Sequence, residues 1–249
     1  MEGLEVIPVR GLPEVEPGSD LATLILPALG RLRLRLRNRD VVVVKQKVVS
    51  KAEGRLVKLG EVEPSPSALR LAAEQRKDPR LVELILREST RVVRAGHGVI
   101  ITETRQGLVC ANSGIDKSNV KAGCVALLPV DPDRSARQIR RRLEARARKE
   151  LAVVITDTFG RPWRKGQTDI AIGCSGISPL FSYRGKTDRY GYELRVTEPA
   201  VVDEIAAAAE LVTGKLSETP VALVRGVKYK RGDGGVKSML MEREKDLFR

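Results

Sequence analysis

Apolar residues along the chain recur with two spacings, every second residue and every third or fourth, which predicts strands interleaved with helices. Residues 40–49 are mostly β-branched and predict a buried strand that runs into a loop over 50–55. Residues 151–156 and 220–225 predict two more apolar strands, and 99–111 predicts a hairpin. Because no low-complexity linker interrupts this alternation, the sequence predicts a mixed α/β or α+β unit.

Prolines and capping residues mark where four predicted helices begin. Asp78-Pro79 and Asp131-Pro132 each place a capping carboxylate before a proline at the first helical position. Gly214 is placed to end the last helix, which is rich in alanine. The four helices run over about 67–77, from 79 to about 93, from 132 through the arginine-rich stretch that ends near 150, and from about 197 to 214.

One module over residues 1–249 is predicted, with two interleaved subdomains as the alternative. A chain of 249 residues is long enough to bury a core, and that core must be aliphatic because Phe, Tyr and Trp number only 3, 4 and 1. The tail 228–249 combines glycines with a charged run and is predicted to be a mobile segment.

Composition excludes several kinds of site. No apolar run approaches the ~20 residues of a membrane span, and no signal-peptide pattern is present, so we expect a cytoplasmic protein. Three cysteines without a Cys-x-x-Cys spacing argue against a disulfide framework or a zinc ribbon. The single histidine, His97, lies between glycines and is predicted to be a surface loop residue. The remaining chemistry belongs to carboxylates, lysines, arginines and hard cations.

The net charge of +13 is concentrated in two segments. Residues 31–39 alternate arginine with leucine, which predicts a strand with one solvated face. Residues 134–150 carry eight basic and two acidic residues and predict a helix whose apolar side holds Ile139 and Leu143. The charge has two interpretations: solvated faces on ordinary elements, or a stripe that binds a polyanion.

Polar residues also lie where strands are predicted to end. Residues 45–55 carry lysines and an arginine around Gly54; cations at a strand exit suit phosphates, although lysines also guard exposed strand edges. In the polar loop 110–120, Asp116 offers a ligand to a hard cation and Asn119 could read a base or ribose. Loops of this kind also satisfy their own turns, which is the alternative interpretation.

A third polar segment, 155–164, follows the apolar strand that leads into it. Asp157 and Thr158 offer oxygen ligands of the kind that Mg²⁺ or Mn²⁺ accepts, and Arg161 and Arg164 come next. Neither a Walker A loop nor a dinucleotide fingerprint is complete anywhere in the sequence. Oxygens for metal and cations for phosphate, taken together, indicate phosphoryl transfer.

In these segments the sequence resembles the coenzyme F420-0:L-glutamate ligase family. The motifs that carry the likeness are VVSKAEGR at 48–55, CANSGIDKSNV at 110–120, LLPVDPDRSA at 127–136, ITDTFGRPWRKGQ at 155–167 and VVDEIAAAAELVTGK at 201–215. The resemblance implies a GTP-dependent ligase that adds L-glutamate to coenzyme F420-0, and then further glutamates through γ-linkages. It also implies a distinctive α+β fold of mixed sheets with flanking helices, and an intertwined homodimer with the nucleotide site near its interface.

The resemblance implies roles for individual residues. Asp116 and Asp157 match ligands of one divalent cation, Mg²⁺ or Mn²⁺, and Thr158 matches a ligand of a second; a monovalent cation is a further candidate. The implied GTP contacts are Leu12, Pro13, Glu14, Val15, Gln46, Lys47, Lys51 and Asn119. The implied partners are coenzyme F420-0, L-glutamate and a second copy of the chain, and neither nucleic acid nor a membrane is expected.

Lys215 departs from the family pattern, in which some members offer a Glu or Gln to the second metal after Gly214. A protonated lysine cannot ligate a metal, so Lys215 either replaces that metal's charge by contacting phosphate or leaves the second site weaker. Glu204 and Glu210, on the preceding helix, are predicted to line its solvated face and not to bind metal.

The implied chemistry is transfer of the GTP γ-phosphoryl group to the coenzyme carboxylate, followed by attack of the glutamate amine on the acyl phosphate. Lys47 and Lys51 are predicted to hold the triphosphate, and Asp157 to act through the metal. Arg161 or Arg164 is predicted to pair with a substrate carboxylate. No side chain presents itself as the base for the amine. The alternatives are the same scheme on another carboxylate, or a basic RNA-binding protein.

Overall fold

The valine-rich segments form the centre of the structure, a computed structural model that describes residues 3–247. The strands are β1 (Glu5–Val9), β2 (Val41–Lys45), β3 (Leu56–Lys58), β4 (Ser89–Gly96), β5 (Val99–Thr104), β6 (Val109–Ala111), β7 (Cys124–Ala126), β8 (Ala152–Arg161), β9 (Arg164–Ser175) and β10 (Val221–Arg225). The helices are α1 (Leu21–Arg31), α2 (Gln46–Ala52), α3 (Pro66–Gln75), α4 (Pro79–Arg87), α5 (Pro132–Ala147) and α6 (Val201–Thr213). Mixed sheets with flanking helices confirm the predicted α+β class.

A five-stranded sheet in the order β1-β10-β2-β8-β9 is the framework of the fold. Within it β2 and β8 run parallel, with Val41 opposite Ala152 and Lys45 opposite Thr156, and all other neighbours are antiparallel. The carboxyl ends of the two parallel strands therefore meet at one edge of the sheet, which is where α/β folds place ligands.

Alternate valines of β2 face opposite sides of this sheet. Val42 and Val44 pack in one core with residues of α1 and α5, and Val41 and Val43 pack in a second core with residues of α6. The sheet thus lies between two helical layers. Gly173 of β9 allows α5 to approach closely, because a Cβ there would lie 2.4 Å from the Pro132 carbonyl carbon.

A third apolar core lies outside the central sheet. It joins α3 and α4 to the two-stranded sheet β3-β7 and the three-stranded sheet β4-β5-β6, with Ile85 and Ile100 fully buried. We call this part, residues 56–111 and 121–127, the outer unit; the loop between these ranges reaches a cavity at the end of β2. Division of the chain into one module or two interleaved subdomains stays a prediction.

The hairpin and three predicted caps are confirmed, but the predicted start of the last helix near 197 is wrong, because α6 begins at Val201 and its N-cap residue, Ala200, makes no side-chain capping hydrogen bond. Asp78 accepts a hydrogen bond from the Arg80 amide at the start of α4, and Asp131 accepts one from the Arg134 amide at the start of α5. Gly214 caps α6, and β5 and β6 form the predicted hairpin. His97 is exposed in the turn between β4 and β5.

The predicted arginine strand over 31–39 is wrong. α1 continues to Arg31, and an irregular segment follows in which Arg33 and Arg39 have φ of 56° and 69°, values that an extended strand cannot contain. Leu34 and Leu36 pack against the core, so the alternation of leucine with arginine reflects a loop anchored by its leucines.

Other predicted boundaries also differ from the structure. Residues 46–52 form α2, where the sequence predicts the end of a strand and a loop. The helix that was predicted to run to residue 93 ends at Arg87. The residues that follow, several of them β-branched, form β4, which pairs with β5. Asp157 lies within β8 and not at its end, because the strand continues into the β8–β9 hairpin.

The segment after Lys228 packs on the body of the protein as far as the structure describes it. Tyr229 and Val236 are buried, and the buried Asp133 carboxylate accepts a hydrogen bond from the Val236 amide at 2.8 Å. The predicted mobility of 228–249 stays a prediction, and its last two residues lie outside the described part. Within residues 3–247, none of the helices has the length and apolar composition that crossing a bilayer requires.

Candidate functional site

A cavity of about 550 Å³ opens where β2 ends, beside residues 156–158 in the middle of β8. Its walls come from the segment after β1, from α2, the loop after β6, β8 and the segment after α6. The predicted site residues that line it are Leu12, Pro13, Glu14, Val15, Gln46, Lys47, Lys51, Asp116, Asn119, Asp157, Thr158 and Lys215. The structure therefore brings together every residue that was predicted to contact nucleotide or metal.

Arg161 and Arg164 are not brought to this cavity. Both lie at the exposed tip of the β8–β9 hairpin, where Arg161 Nη2 donates a hydrogen bond to the Lys165 carbonyl at 3.2 Å. Their predicted pairing with a substrate carboxylate stays a prediction.

The start of α2 is anchored by a buried side chain. Gln46 is 2% exposed, and its Nε2 donates to Ser50 Oγ at 2.8 Å and to the Leu127 carbonyl at 3.1 Å. With the first turn of the helix fixed in this way, Lys47 and Lys51 lie on one helix face, four residues apart, and both reach the cavity.

Lys47 is held by the loop after β6. Its Nζ lies 2.6 Å from Asp116 Oδ2, and Asp116 Oδ1 accepts a hydrogen bond from the Ser118 amide at 2.7 Å. Burial opposes ionisation of Asp116, but the hydrogen bonds from Lys47 and Ser118 outweigh it and lower the pKa of Asp116. Asn119 Nδ2 donates to the Lys215 carbonyl at 3.3 Å, which joins this loop to the segment after α6.

Asp157 has the opposite electrostatic environment. Burial, together with the charges of Asp116 and Asp169, raises the pKa of Asp157 to about 7 despite a hydrogen bond from the Thr158 amide. Two carboxylates that repel each other beside lysines are a donor set that suits a hard divalent cation. Among residues 3–247, no group of three or more His, Cys, Asp and Glu side chains is placed to hold a metal ion. A cation at Asp116 and Asp157 therefore needs further oxygens, which phosphates can supply.

Sequence reasoning missed the buried group behind these residues. Lys45 Nζ lies 2.5 Å from Asp169 Oδ2 and also contacts Glu210. Asp169 is 1% exposed and accepts hydrogen bonds from Thr156 Oγ1 at 2.9 Å and Thr158 Oγ1 at 2.6 Å. An acidic residue directly before the apolar run 170–174 of β9 was the signal that could have identified Asp169.

The surroundings of Glu210 also differ from the prediction. Its carboxylate is half-buried and paired with Lys45, so its predicted place on the solvated face of α6 is wrong, whereas Glu204 is exposed as predicted. The sequence carried no signal for this contact, because Lys45 is 165 residues away along the chain.

A second group of cations lies at the opposite end of β2. There a second cavity of about 480 Å³ is lined mainly by Arg33, Arg35, Arg37, Lys149 and Arg225. Arg225 is fixed by Asp40, with Nη2 2.9 Å from Oδ2. We call residues 31–39 the arginine loop.

Comparison with known proteins gives a consistent result. The description "F420-0:Gamma-glutamyl ligase" belongs to the family whose profile matches residues 11–226. A protein named Coenzyme F420:L-glutamate ligase from Methanothermobacter thermautotrophicus is 48% identical over 99% of both chains. Proteins with the same name are 46% identical over the whole of both chains in Methanopyrus kandleri and 41% identical over 86% of both chains in Methanocaldococcus jannaschii. The chain therefore belongs to the F420-0:gamma-glutamyl ligase family.

Proposed function

We propose that this protein is a ligase that joins L-glutamate to coenzyme F420-0, and then adds further glutamates through γ-linkages. The family relation supports this, since relatives at 48% and 46% identity over nearly their full length are named Coenzyme F420:L-glutamate ligase. The observation that carries the proposal is the convergence of Asp116 and Asp157 with Lys47 and Lys51 in one cavity. Such a set of oxygens and cations suits a polyphosphate and its metal.

The reaction needs an activated carboxylate, because an oxide ion is too poor a leaving group for direct attack by an amine. In the proposed scheme a carboxylate oxygen of the coenzyme attacks the γ-phosphorus of GTP, the bond to the β-phosphate oxygen breaks, and GDP leaves. The glutamate amine then attacks the acyl carbon, forming the C–N bond as inorganic phosphate departs and the amine loses a proton. This makes the protein an acid–amino-acid ligase of the peptide synthase type.

Residues of the cavity have distinct roles in this scheme. Lys47 and Lys51, held on one face of α2, bind the triphosphate. Asp116 and Asp157 hold a divalent cation, Mg²⁺ or Mn²⁺, which when bound neutralises charge on the transferring phosphoryl group. The segment from Leu12 to Val15 borders the same cavity and is proposed, together with Gln46 and Asn119, to contact the nucleotide.

The first test is mass spectrometry of coenzyme F420-0 after incubation with the protein, L-glutamate, GTP and Mn²⁺ or Mg²⁺. Stepwise glutamyl additions that require GTP, and that fail with ATP or without nucleotide, support the proposal and give the number of glutamates added. Hydrolysis of GTP without any addition would indicate another carboxylate acceptor. If neither occurs, the arginine loop and α5 should be tested for RNA binding with a steep salt dependence.

A homodimer is proposed on the family relation. Light scattering of the purified protein should give twice the chain mass of 27.3 kDa, and a mass equal to one chain would reject the dimer.

A further inference from the structure

The hydroxyl of Thr158 has only one proton to donate, and the structure determines where that proton goes. Asp169 is ion-paired with Lys45, so its oxygens act as hydrogen-bond acceptors. Thr158 Oγ1 lies 2.6 Å from Asp169 Oδ1 and must donate to it. The remaining lone pairs of Thr158 Oγ1 are therefore presented away from Asp169, and Thr158 lines the cavity. Asp169 thus acts as a positioning residue that makes Thr158 an electron-pair donor.

The partner of those lone pairs is the ammonium group of Lys215. Lys215 Nζ donates a hydrogen bond to Thr158 Oγ1. A positive charge therefore lies next to the oxygen that was predicted to bind a second divalent cation. An ammonium and a divalent cation cannot share one oxygen without strong repulsion at such short range. The residues present therefore do not fit a second divalent cation at Thr158 while Lys215 stays charged.

The position of Lys215 is set by more than this one contact. The residue follows Gly214, which has φ of 54° and caps α6, so the side chain leaves from a helix C-terminus, where a positive charge is favoured. Its carbonyl accepts the hydrogen bond from Asn119 Nδ2, and its charge acts on the Asp157 carboxylate. The other cavity lysines have carboxylate partners of their own: Lys45 pairs with Asp169 and Glu210, Lys47 with Asp116, and Lys51 with Glu14.

We propose that Lys215 supplies the second positive charge of the phosphate site, so that this protein binds one divalent cation per chain together with the nucleotide. The proposal rests on the nucleotide site of the proposed function. An ammonium group tethered to the chain can donate hydrogen bonds to phosphate oxygens, but it carries half the charge of a divalent cation and chelators cannot remove it.

The test counts Mn²⁺ bound per chain by equilibrium dialysis with a non-hydrolysable GTP analogue, using metal analysis on both sides of the membrane. We expect one Mn²⁺ per nucleotide-bound chain in the wild type. Lys215→Glu and Lys215→Gln remove the ammonium and supply an oxygen ligand beside Thr158, so two Mn²⁺ are expected. Lys215→Gln should also bind the analogue about tenfold more weakly when Mn²⁺ saturates only the first site, and additional Mn²⁺ should restore the affinity.

Lys58→Glu is the matched control, because Lys58 is an exposed lysine paired with Glu61 in the outer unit and the substitution makes the same charge reversal. It should retain one Mn²⁺ per chain. Two Mn²⁺ per chain in the wild type, or one Mn²⁺ in nucleotide-bound Lys215→Glu, would overturn the inference while leaving the proposed function intact. Failure of the wild type to bind the analogue at any Mn²⁺ concentration would instead reject the nucleotide site, and the inference with it.

Discussion

Glu83 in the outer unit and Asp157 in the cavity are two carboxylates with opposite surroundings. Glu83 is 7% exposed and accepts hydrogen bonds from the Ser65 amide at 2.9 Å and from Arg87 Nε at 2.7 Å. Interaction with the Ser65 side chain, together with the hydrogen bonds from the Ser65 amide and Arg87, lowers the pKa of Glu83 to about 2. Burial and the neighbouring charges of Asp116 and Asp169 raise the pKa of Asp157 to about 7. In the outer unit, neighbouring groups of the chain stabilise the ionised form of Glu83, whereas in the cavity the surroundings of Asp157 destabilise its ionised form.

The difference identifies which region is prepared for a ligand. Glu83 joins the start of α3 to α4, and every group that stabilises its charge belongs to the chain. The cavity concentrates Asp116 and Asp157 at the end of the central sheet, where Lys47 and Lys215 offset their repulsion only in part and the pKa of Asp157 stays raised. A partly buried carboxylate that the fold leaves electrostatically unfavourable is typical of functional sites.

The largest expected effect is on catalysis. Asp157→Asn should lower turnover by about 10³-fold or more, because the amide is a weaker metal ligand and carries no charge to hold the cation. The measurement is GTP-dependent glutamyl addition, with circular dichroism to check folding. Glu83→Gln, which removes the same charge in the outer unit, should keep turnover within about threefold. Near-normal turnover in Asp157→Asn would reject its metal role.

The next largest effect concerns nucleotide affinity. Lys47→Met should weaken binding of the GTP analogue about 10- to 100-fold, because one charge-assisted hydrogen bond is lost. Calorimetric titration measures this directly. Arg35→Met removes a cation from the arginine loop at the other end of β2, and we expect it to leave the affinity unchanged. Equal losses in both variants would mean that long-range charge, and not contact, attracts the nucleotide.

The third effect, on the free energy of unfolding, concerns the outer unit. Glu83→Gln should reduce the free energy of unfolding by about 2 kcal/mol at pH 7, because hydrogen bonds to an ionised group are lost. Since the folded pKa is lowered to about 2, this stabilisation is complete above about pH 5 and is lost as the pH falls towards 2. Urea unfolding of both proteins between pH 2 and 7 should show the difference shrink, and a pH-independent difference would contradict the assignment.

The smallest effect has the opposite sign. Without metal at pH 8, Asp157→Asn should be more stable than the wild type by about 1 kcal/mol, because the native protein must then hold an ionised carboxylate whose pKa is raised to about 7. Thermal unfolding in a chelator provides the measurement. A loss of stability like that of Glu83→Gln would show that groups of the chain stabilise the ionised Asp157 carboxylate, so Asp157 and Glu83 would not differ in this respect.

The sequence alone determined the elements whose signals are local. β2 and β10 follow from their valine-rich runs, and the starts of α4 and α5 from Asp-Pro caps, because buried strands and helix ends depend on residues adjacent in the chain. The family, and the cavity residues that the resemblance implies, also followed from the sequence, since the matching motifs are short continuous segments.

Tertiary structure alone determined what depends on distant partners. Residues 31–39 have the period of a strand. Leu34 and Leu36 pack against the core, however, and none of the strands in residues 3–247 pairs with this segment, so it is a loop. Lys45, Asp169 and Glu210 meet across the sheet and α6, and only that meeting fixes the Thr158 proton and leaves its lone pairs to Lys215. Periodicity is a property of neighbours along the chain, whereas hydrogen-bond direction and charge pairing are set by packing between elements.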